Sequence, residues 1–460
     1  MTRKVYVVTD LGSGDGGKGG VVHAVASSQR AHTVIKRGGA QGSHGVVSAA
    51  TSQSYAFGQW GCGTLDGIPT HLSSQMIVSP EGLLNEAAEL YEMTNIANPF
   101  ALLTVDETAL VATPLHGVAS HLFELSLGSD SRGTVGTGVG QSFRDAIKYP
   151  ELALRVRDLL APDLRDRLYA VRDCIAEYVW PVLLDAEFLR EDSADVRHEL
   201  ALLQDDGFVE HIARRFRQAG ALVTIVPHDY LGDTILRKDG VAVIESSHGV
   251  LTDNVQGFAP HTSAIRTLPG QARQLLDDAG YMGQIVNLGV TRAYAVRHGA
   301  GPLPTGNETL GRRLHPGSES QDNRYQGQVR AGALDGVLLR YAVDVCGGST
   351  AFDGLAVTWF DQIKRDGEWL LCDRYSGKLD PIAFTPQGEL RVRQSPTEAE
   401  QMQLTTALGA VEPVVTAKVI DRTLSNDALY GICAEQVQSM TGVPVRMVSM
   451  GPSERDKLMK

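Results

Sequence analysis

A short apolar strand that runs directly into glycine is the strongest constraint on this chain. Val5-Tyr6-Val7-Val8 leads to Gly12-Ser-Gly-Asp-Gly-Gly-Lys-Gly, and a second glycine turn, Gly38-Gly-Ala-Gln-Gly-Ser-His44, follows about one strand later. A glycine-rich turn after a strand presents backbone N–H groups to an anion, and Lys18 adds a mobile positive charge, the arrangement by which P-loops hold phosphate. The spacing from Gly12 through Gly17-Lys18 fits a Walker A loop, but Gly19 stands where such a loop supplies a Ser or Thr hydroxyl to magnesium. Asp15 is the substitute the loop offers, because a hard cation prefers carboxylate oxygen. Asp15 could equally cap the following helix or take a proton from a substrate. His44 reads either as a polar turn residue or as a donor to a transferring phosphoryl group.

With 460 residues, 43% apolar and 21% charged, the chain has the composition of a soluble globular enzyme with a large core. A net charge of −12 argues against a general nucleic-acid binder while leaving room for a basic pocket that takes small anions. The five cysteines show neither paired spacing nor a CxxC, so buried thiols are expected rather than disulfides or structural zinc. No stretch approaches the roughly 18 apolar residues of a membrane span, and the start lacks the layout of a signal peptide. A cytoplasmic protein is expected, with no membrane and no nucleic-acid partner.

Residues 1–50 read as strand, glycine loop, helix, strand, glycine loop. Ser79-Pro80-Glu81 opens a helix that continues over Gly82–Met93. From about Asp145 to Gln218 the pattern is helical, broken at Pro150, Pro162 and Pro181, and reads as an insertion spanning about 145–220. Parallel-sheet strands follow at Ala221–Val226, Val241–Ile244, Gln284–Asn287 and Gly354–Trp359. A late helix opens at Ser425-Asn426-Asp427 and runs to about Met440, and 306–330 reads as a long polar loop. The expected class is α/β: one domain over 1–460, a large, mostly parallel central sheet with helices on both faces, a P-loop-like nucleotide site, the helical insertion and further subdomains.

The opening Val-Val-Thr-Asp-Leu-Gly-Ser-Gly-Asp-Gly-Gly-Lys-Gly resembles the first loop of the adenylosuccinate synthetase family, and Gly38-Gly-x-x-Gly-Ser-His44 its second. Further blocks agree in order. Gly133–Gly140 resembles the family's substrate-phosphate loop, and Glu245-Ser-Ser-His-Gly249 its Glu-Gly-Ala-Gln-Gly segment. Thr291–Thr305 is the closest block. Thr358-Trp-Phe-Asp361 resembles the base-recognition Thr-Lys-x-Asp, and Thr441–Pro444 with Ser449-Met-Gly-Pro452 the closing segment.

The resemblance implies a ligase in which GTP phosphorylates the 6-oxygen of IMP and the amine of aspartate displaces phosphate. It implies Asp15 as base on the purine N1 proton and as Mg2+ ligand with the Ser43 carbonyl, His44 and Lys18 on the phosphoryl group, and His248 at the purine 6-oxygen. Gly14, Gly16, Gly17, Gly19, Asp361, Ser449, Gly451 and Pro452 bind the nucleoside triphosphate on this reading. Gln41, Thr134, Val135, Thr262, Ser263, Arg297, Arg324 and Arg330 bind the other substrates. The implied partners are GTP or ATP, a purine nucleoside monophosphate, an amino acid and a second copy of the chain.

The sequence also departs from the family pattern. Gln41 replaces an asparagine, His248 a glutamine, Val135 a threonine and Trp359 the lysine of the base motif. Aligning Ala331-Gly-Ala-Leu-Asp335 with the family's Thr-Gly-Trp-Leu-Asp puts Gly327, Gln328, Val329 and Arg330 in place of four arginines, and Leu154–Leu159 places Glu151 near the arginine that normally reaches the partner subunit. A dicarboxylate wants bidentate arginines, so the substrate pair is open: IMP with aspartate, another purine nucleotide such as dGMP, or a specialised-metabolism substrate with a different amine. A non-catalytic nucleotide-binding relative is the second reading. An ordinary P-loop kinase is disfavoured by Gly19.

Overall fold

The computed structural model describes residues 3–128, 132–185, 193–314 and 327–460. In chain order the strands are β1 (Arg3–Asp10), β2 (Thr33–Gly39), β3 (His44–Ser48), β4 (Gln53–Phe57), β5 (Thr70–Val78), β6 (Leu103–Asp106), β7 (Leu110–Val111), β8 (Thr224–Val226), β9 (Gly240–Gly249), β10 (Gln284–Arg292), β11 (Ala295–His298), β12 (Val329–Gly332), β13 (Leu334–Asp335), β14 (Gly354–Thr358), β15 (Glu368–Ser376), β16 (Glu412–Val419), β17 (Val445–Ser449) and β18 (Lys457–Met459). The helices are α1 (Lys18–Ser28), α2 (Pro80–Met93), α3 (Pro114–Leu127), α4 (Val139–Lys148), α5 (Leu164–Asp185), α6 (Ala194–Gln204), α7 (Asp206–Leu222), α8 (Pro269–Asp278), α9 (Glu308–Leu314), α10 (Gly336–Val345), α11 (Phe360–Asp366), α12 (Glu398–Gly409) and α13 (Asn426–Thr441).

The central sheet runs β18-β17-β14-β10-β1-β9-β2-β5-β6-β8, with β7 beside β5. Its pairings are parallel except β17 with β18. Alternation within the central strands shows why both faces are covered. Val5 and Val7 of β1, Ile35 of β2 and Ala242 and Ile244 of β9 pack with Ala272, Leu275 and Leu276 of α8. Their neighbours Val8, Val34 and Val243 join the opposite core with Val21, Val22 and Val25 of α1. Successive side chains of a strand point to opposite faces, so near-continuous apolar runs require a layer on each side. The expected α/β class is the one observed.

Helices α5 and α7 bury Leu168, Val171, Ile175, Ile212 and Phe216 in the same cluster as the sheet residues Val8 and Val34. Pro181 does not break the pattern, as the sequence reading had it, but lies inside α5. A proline costs a helix one hydrogen bond, and burial of Val179 and Leu183 on either side carries the helix through. The apolar run Ala221–Val226 splits, because α7 continues to Leu222 and only Thr224–Val226 pairs, with β6. A short apolar run cannot distinguish a helix end from a strand by periodicity. Trp359 leaves β14 with φ 62°, and the expected polar loop over 306–330 contains α9 and the start of β12. The remainder of that loop, 315–326, lies outside the described residues, and Arg324 with it. Among the described residues no helix is long and apolar enough to cross a membrane.

Candidate active site

The site forms where β1, β2, β9, β10 and β14 end, at the carboxyl edge where open α/β sheets bind ligands. Asp10, the last residue of β1, organises the first loop. Its carboxylate accepts from the Gly12 N–H at 2.7 Å, the Gly16 N–H at 2.7 Å and Lys18 Nζ at 2.8 Å. The sequence reading missed Asp10, whose signal was a charged residue ending a buried strand. Lys18 is correspondingly not the mobile charge expected from the sequence, since it is buried against Asp10.

Close packing explains the glycines. A Cβ on Gly16 would sit 2.7 Å from Asp10 Oδ2, and one on Gly17, which has φ 83°, would meet Thr358 at 3.0 Å. A Cβ on Gly19 would lie 2.6 Å from the Gly45 carbonyl, so the missing Walker hydroxyl is excluded by contact with the second loop. Gly17, with no side-chain cap, is the N-cap of α1, and Asp15 is therefore not a capping residue. Asp15 instead takes φ 56°, a strained region for a non-glycine residue. Its carbonyl accepts from Arg292 Nε and its Oδ2 lies 2.5 Å from His298 Nε2. Burial alone would raise the Asp15 pKa, but the His298 hydrogen bond and the charges of His298, Arg292 and Lys18 hold it well below the usual carboxylate range.

His44 opens β3, and its Nδ1 donates to Glu245 Oε1 at 2.5 Å. Glu245 lies in β9 and is fully buried; Lys36 Nζ sits 3.1 Å from Oε1, and the Cys62 N–H donates to Oε2 at 2.9 Å. Burial pushes the Glu245 carboxyl up, and Lys36 and His44 more than reverse it, so the carboxylate is ionised. Burial lowers the pKa of His44, partly offset by Glu245, which orients a neutral ring at ordinary pH. His44, Cys62 and Glu245 are close enough to hold a metal ion, but the Lys36 ammonium already neutralises the same carboxylate. Lys36 and Cys62 are site residues the sequence reading missed; their contacts join positions 36, 44, 62 and 245, which share no local pattern.

His248 adopts φ 63°, and its Nε2 lies 2.8 Å from Gln41 Nε2, while Nδ1 is 3.4 Å from Ser263 Oγ. Burial and the nearby charges of Lys18, His44 and Arg37 bring its pKa down to about 4, so the ring is neutral at pH 7. The structure thus unites Gln41, His248 and Ser263, with half-buried Thr262 adjacent. Half-buried Thr134 and Val135 lie on the loop before α4, where Thr134 Oγ1 accepts from the Gly136 N–H at 3.3 Å. A Cβ on Gly140 would meet Ala264 at 3.4 Å, which places the start of α4 against the segment carrying Thr262 and Ser263. Ser43 is exposed immediately before His44.

Arg297 and Arg330 face each other across the antiparallel pair β11–β12. Arg297 donates to the Ala300 carbonyl at 2.8 Å, the His261 carbonyl at 3.0 Å and Ser13 Oγ at 3.2 Å. Arg330 donates to the carbonyls of Gly299 at 2.6 Å and Gly301 at 2.7 Å. On the remaining side, Asp361 lies in the first turn of α11, and Ser449 Oγ donates to the Gly451 carbonyl at 2.9 Å. Lys457 Nζ, missed in the sequence, donates to the same carbonyl at 2.6 Å and packs over Gly20, close to Pro452. Arg292 stacks 4.4 Å from the Trp359 ring centroid. An open pocket borders the first loop between Gly12, Ser13, Arg292, Tyr294 and Leu334.

A glycine-rich loop at the carboxyl edge of a doubly covered parallel sheet, beside a carboxylate-held histidine and a second polar pocket, is a layout found in nucleotide-dependent phosphoryl-transfer enzymes. The family model for adenylosuccinate synthetase matches residues 7–458. The adenylosuccinate synthetase of Neisseria gonorrhoeae is 27% identical, with 99% of this chain and 98% of that protein covered. That of Desulfatibacillum aliphaticivorans is 26% identical, covering 98% and 97%. Among solved structures, a fully ligated adenylosuccinate synthetase from Plasmodium falciparum has a TM-score of 0.73 at 18% identity, covering 99% of each chain. The succinoaminodeoxyadenylate synthetase of cyanophage S-2L, bound to dGMP and dATP, has a TM-score of 0.57 at 14% identity, covering 100% and 96%. The chain belongs to the adenylosuccinate synthetase family, as its sequence resemblance implied, and is a C–N bond-forming ligase.

Proposed function

We propose that this ligase transfers the γ-phosphoryl group of a nucleoside triphosphate, GTP on the family reading, to the 6-oxygen of a purine nucleotide and then lets the amine of an amino acid displace phosphate. The observation that carries the reading is the contact of the two loops: Gly19 against Gly45 sets the Asp10-ordered phosphate cradle beside His44 on Glu245. An amide-like oxygen is a poor leaving group and a phosphorylated one a good one, so the chemistry reduces to positioning and charge stabilisation.

In this scheme the ionised Asp15 takes the purine N1 proton, which concentrates charge on the 6-oxygen as it attacks phosphorus. The first loop's N–H groups other than those of Gly12 and Gly16, which Asp10 takes, cradle the phosphates with the start of α1, Lys18 supplying charge. His44, held by Glu245, faces the group in transfer, and neutral His248 with Gln41 meets the 6-substituent. The carboxylate of Asp15, ionised and on a glycine-rich loop, is a donor that suits Mg2+, with the exposed Ser43 carbonyl as second ligand. Bound there, the ion would neutralise phosphate charge. Asp361, Ser449, Gly451 and Pro452 form the base pocket, and Thr134, Val135, Thr262 and Ser263 the substrate-phosphate contacts.

The amine co-substrate, aspartate or an analogue, falls to Arg297, Arg324 and Arg330. The carbonyl contacts of Arg297 and Arg330 favour a variant pair, with another purine nucleotide such as dGMP or a different amino acid, as the second reading. The chain acts as a single domain over 1–460, supported by the core shared between sheet and insertion, and as a homodimer. Five free cysteines suit a reducing, cytoplasmic setting. The test is a matrix of IMP, GMP and dGMP against several amino acids, with GTP or ATP and magnesium, read by phosphate release and purine ultraviolet absorbance. One pair is expected to change both signals together; tight nucleotide binding without turnover for every pair supports the non-catalytic reading instead.

A further inference from the structure

The first loop and the β11–β12 strand pair meet at a side-chain contact that the scheme above does not use. His298, the last residue of β11, places Nε2 2.5 Å from Asp15 Oδ2. Neighbouring residues pin the same loop at two further points, Arg297 on Ser13 Oγ at 3.2 Å and Arg292 on the Asp15 carbonyl. This bracing has a physical purpose, because a non-glycine residue at φ 56° persists only where its surroundings over-determine it.

The side-chain contact does something the backbone contacts cannot. The Asp15 side chain is 38% exposed, and an exposed aspartate samples staggered χ1 rotamers freely. A donor on Oδ2 selects one rotamer and leaves Oδ1 its full acceptor capacity. His298 is itself fixed, since β11 pairs with β12 and sets His298 opposite Val329.

We infer that His298 is the positioning residue for Asp15, holding by one oxygen the carboxylate whose other oxygen receives the purine N1 proton. The inference rests on the reading of Asp15 as the purine base. It also links the two sides of the site, because the strand pair that carries His298 carries Arg297 and Arg330 as well.

Three proteins test it: the native chain, His298→Leu, which removes the donor and keeps bulk, and His298→Gln, which restores an N–H without a ring. With the active substrate pair, His298→Leu is expected to lower kcat by on the order of 10- to 100-fold, the cost of misplacing a reacting group by about 1 Å. KM for the triphosphate is expected to stay within about twofold, and His298→Gln to recover most of the loss. Calorimetric titration with IMP, GMP and dGMP reads the same effect without turnover: purine-nucleotide affinity falls about tenfold in the leucine variant and returns in the glutamine variant. Native kcat and native purine affinity in His298→Leu overturn the inference. So does equal loss in both variants with a raised triphosphate KM, which marks simple support of the phosphate loop. A native chain that turns over no pair, yet binds a purine nucleotide in a His298-dependent way, overturns the proposed reaction and leaves the positioning role standing.

Discussion

The phosphate end of the site and its β11–β12 end hold their cations differently. At the phosphate end the two lysines have buried anionic partners, Lys18 on Asp10 at 2.8 Å and Lys36 on Glu245 at 3.1 Å. At the β11–β12 end Arg297 and Arg330 donate to neutral backbone carbonyls. Breaking a buried ion pair leaves an uncompensated charge, whereas exchanging a carbonyl for a substrate carboxylate gains a hydrogen bond roughly twice as strong. On the proposed reading the activating residues are therefore locked into the fold, and the proposed amine side is where a relative can change partners.

The largest effects are expected at the locked end. Asp15→Asn and His44→Ala should each lower kcat by about 10²- to 10⁴-fold, the range of positioned acid–base groups, with unchanged circular dichroism. Native kcat in either variant removes that residue from the reaction. Glu245→Gln should cost about 3–5 kcal/mol in urea unfolding, because it strands Lys36 in the core. The Glu245 pKa is depressed in the folded state, so its contribution is complete above the unfolded value of about 4.3 and is lost as pH falls below it. The acid limb of native stability should accordingly flatten in the variant, and an unchanged limb breaks the contrast.

His248 gives a smaller effect in a different window. Its folded pKa of about 4 lies below the ordinary 6.5, so between those values the unfolded chain takes up a proton that the native site refuses. Stability should fall as pH drops through that window and hold level above it. His248→Gln should reduce that slope in melting curves at pH 7 and pH 5, leaving the part due to buried His71 and His116; an identical slope shows that His248 is protonated in the fold. The smallest effect is expected from Arg330→Lys. If Arg330 serves its own loop, the KM for the amine should move by less than about threefold, and a rise beyond about tenfold shows that the guanidinium turns to the substrate.

Much of this contrast was legible in the sequence for a physical reason: glycines that admit a backbone or a phosphate leave a local signature. Val5–Val8 and the glycines after it announced strand and loop, and Ser79-Pro80 and Ser425 announced their helices, because caps and positive-φ positions are properties of neighbouring residues. Lys36 and Cys62 were invisible because they meet Glu245 from positions distant in sequence, whereas Asp10, which acts locally on Gly12, Gly16 and Lys18, left only the weak signal of a charge ending a buried strand. Pro181 misled because burial of Val179 and Leu183 outweighs a single lost hydrogen bond. The β11–β12 end was legible only as a departure, because the carbonyls that hold Arg297 and Arg330 come from the fold and not from neighbouring sequence.

The central claim is that an oxygen of the purine leaves as phosphate. A heavy-oxygen isotope placed at the purine 6-position decides it, with the released inorganic phosphate examined by mass spectrometry after turnover with the active amine. The account predicts one labelled oxygen in each phosphate and none left on the purine product. Unlabelled phosphate, with the label retained on the purine or lost to water, contradicts it.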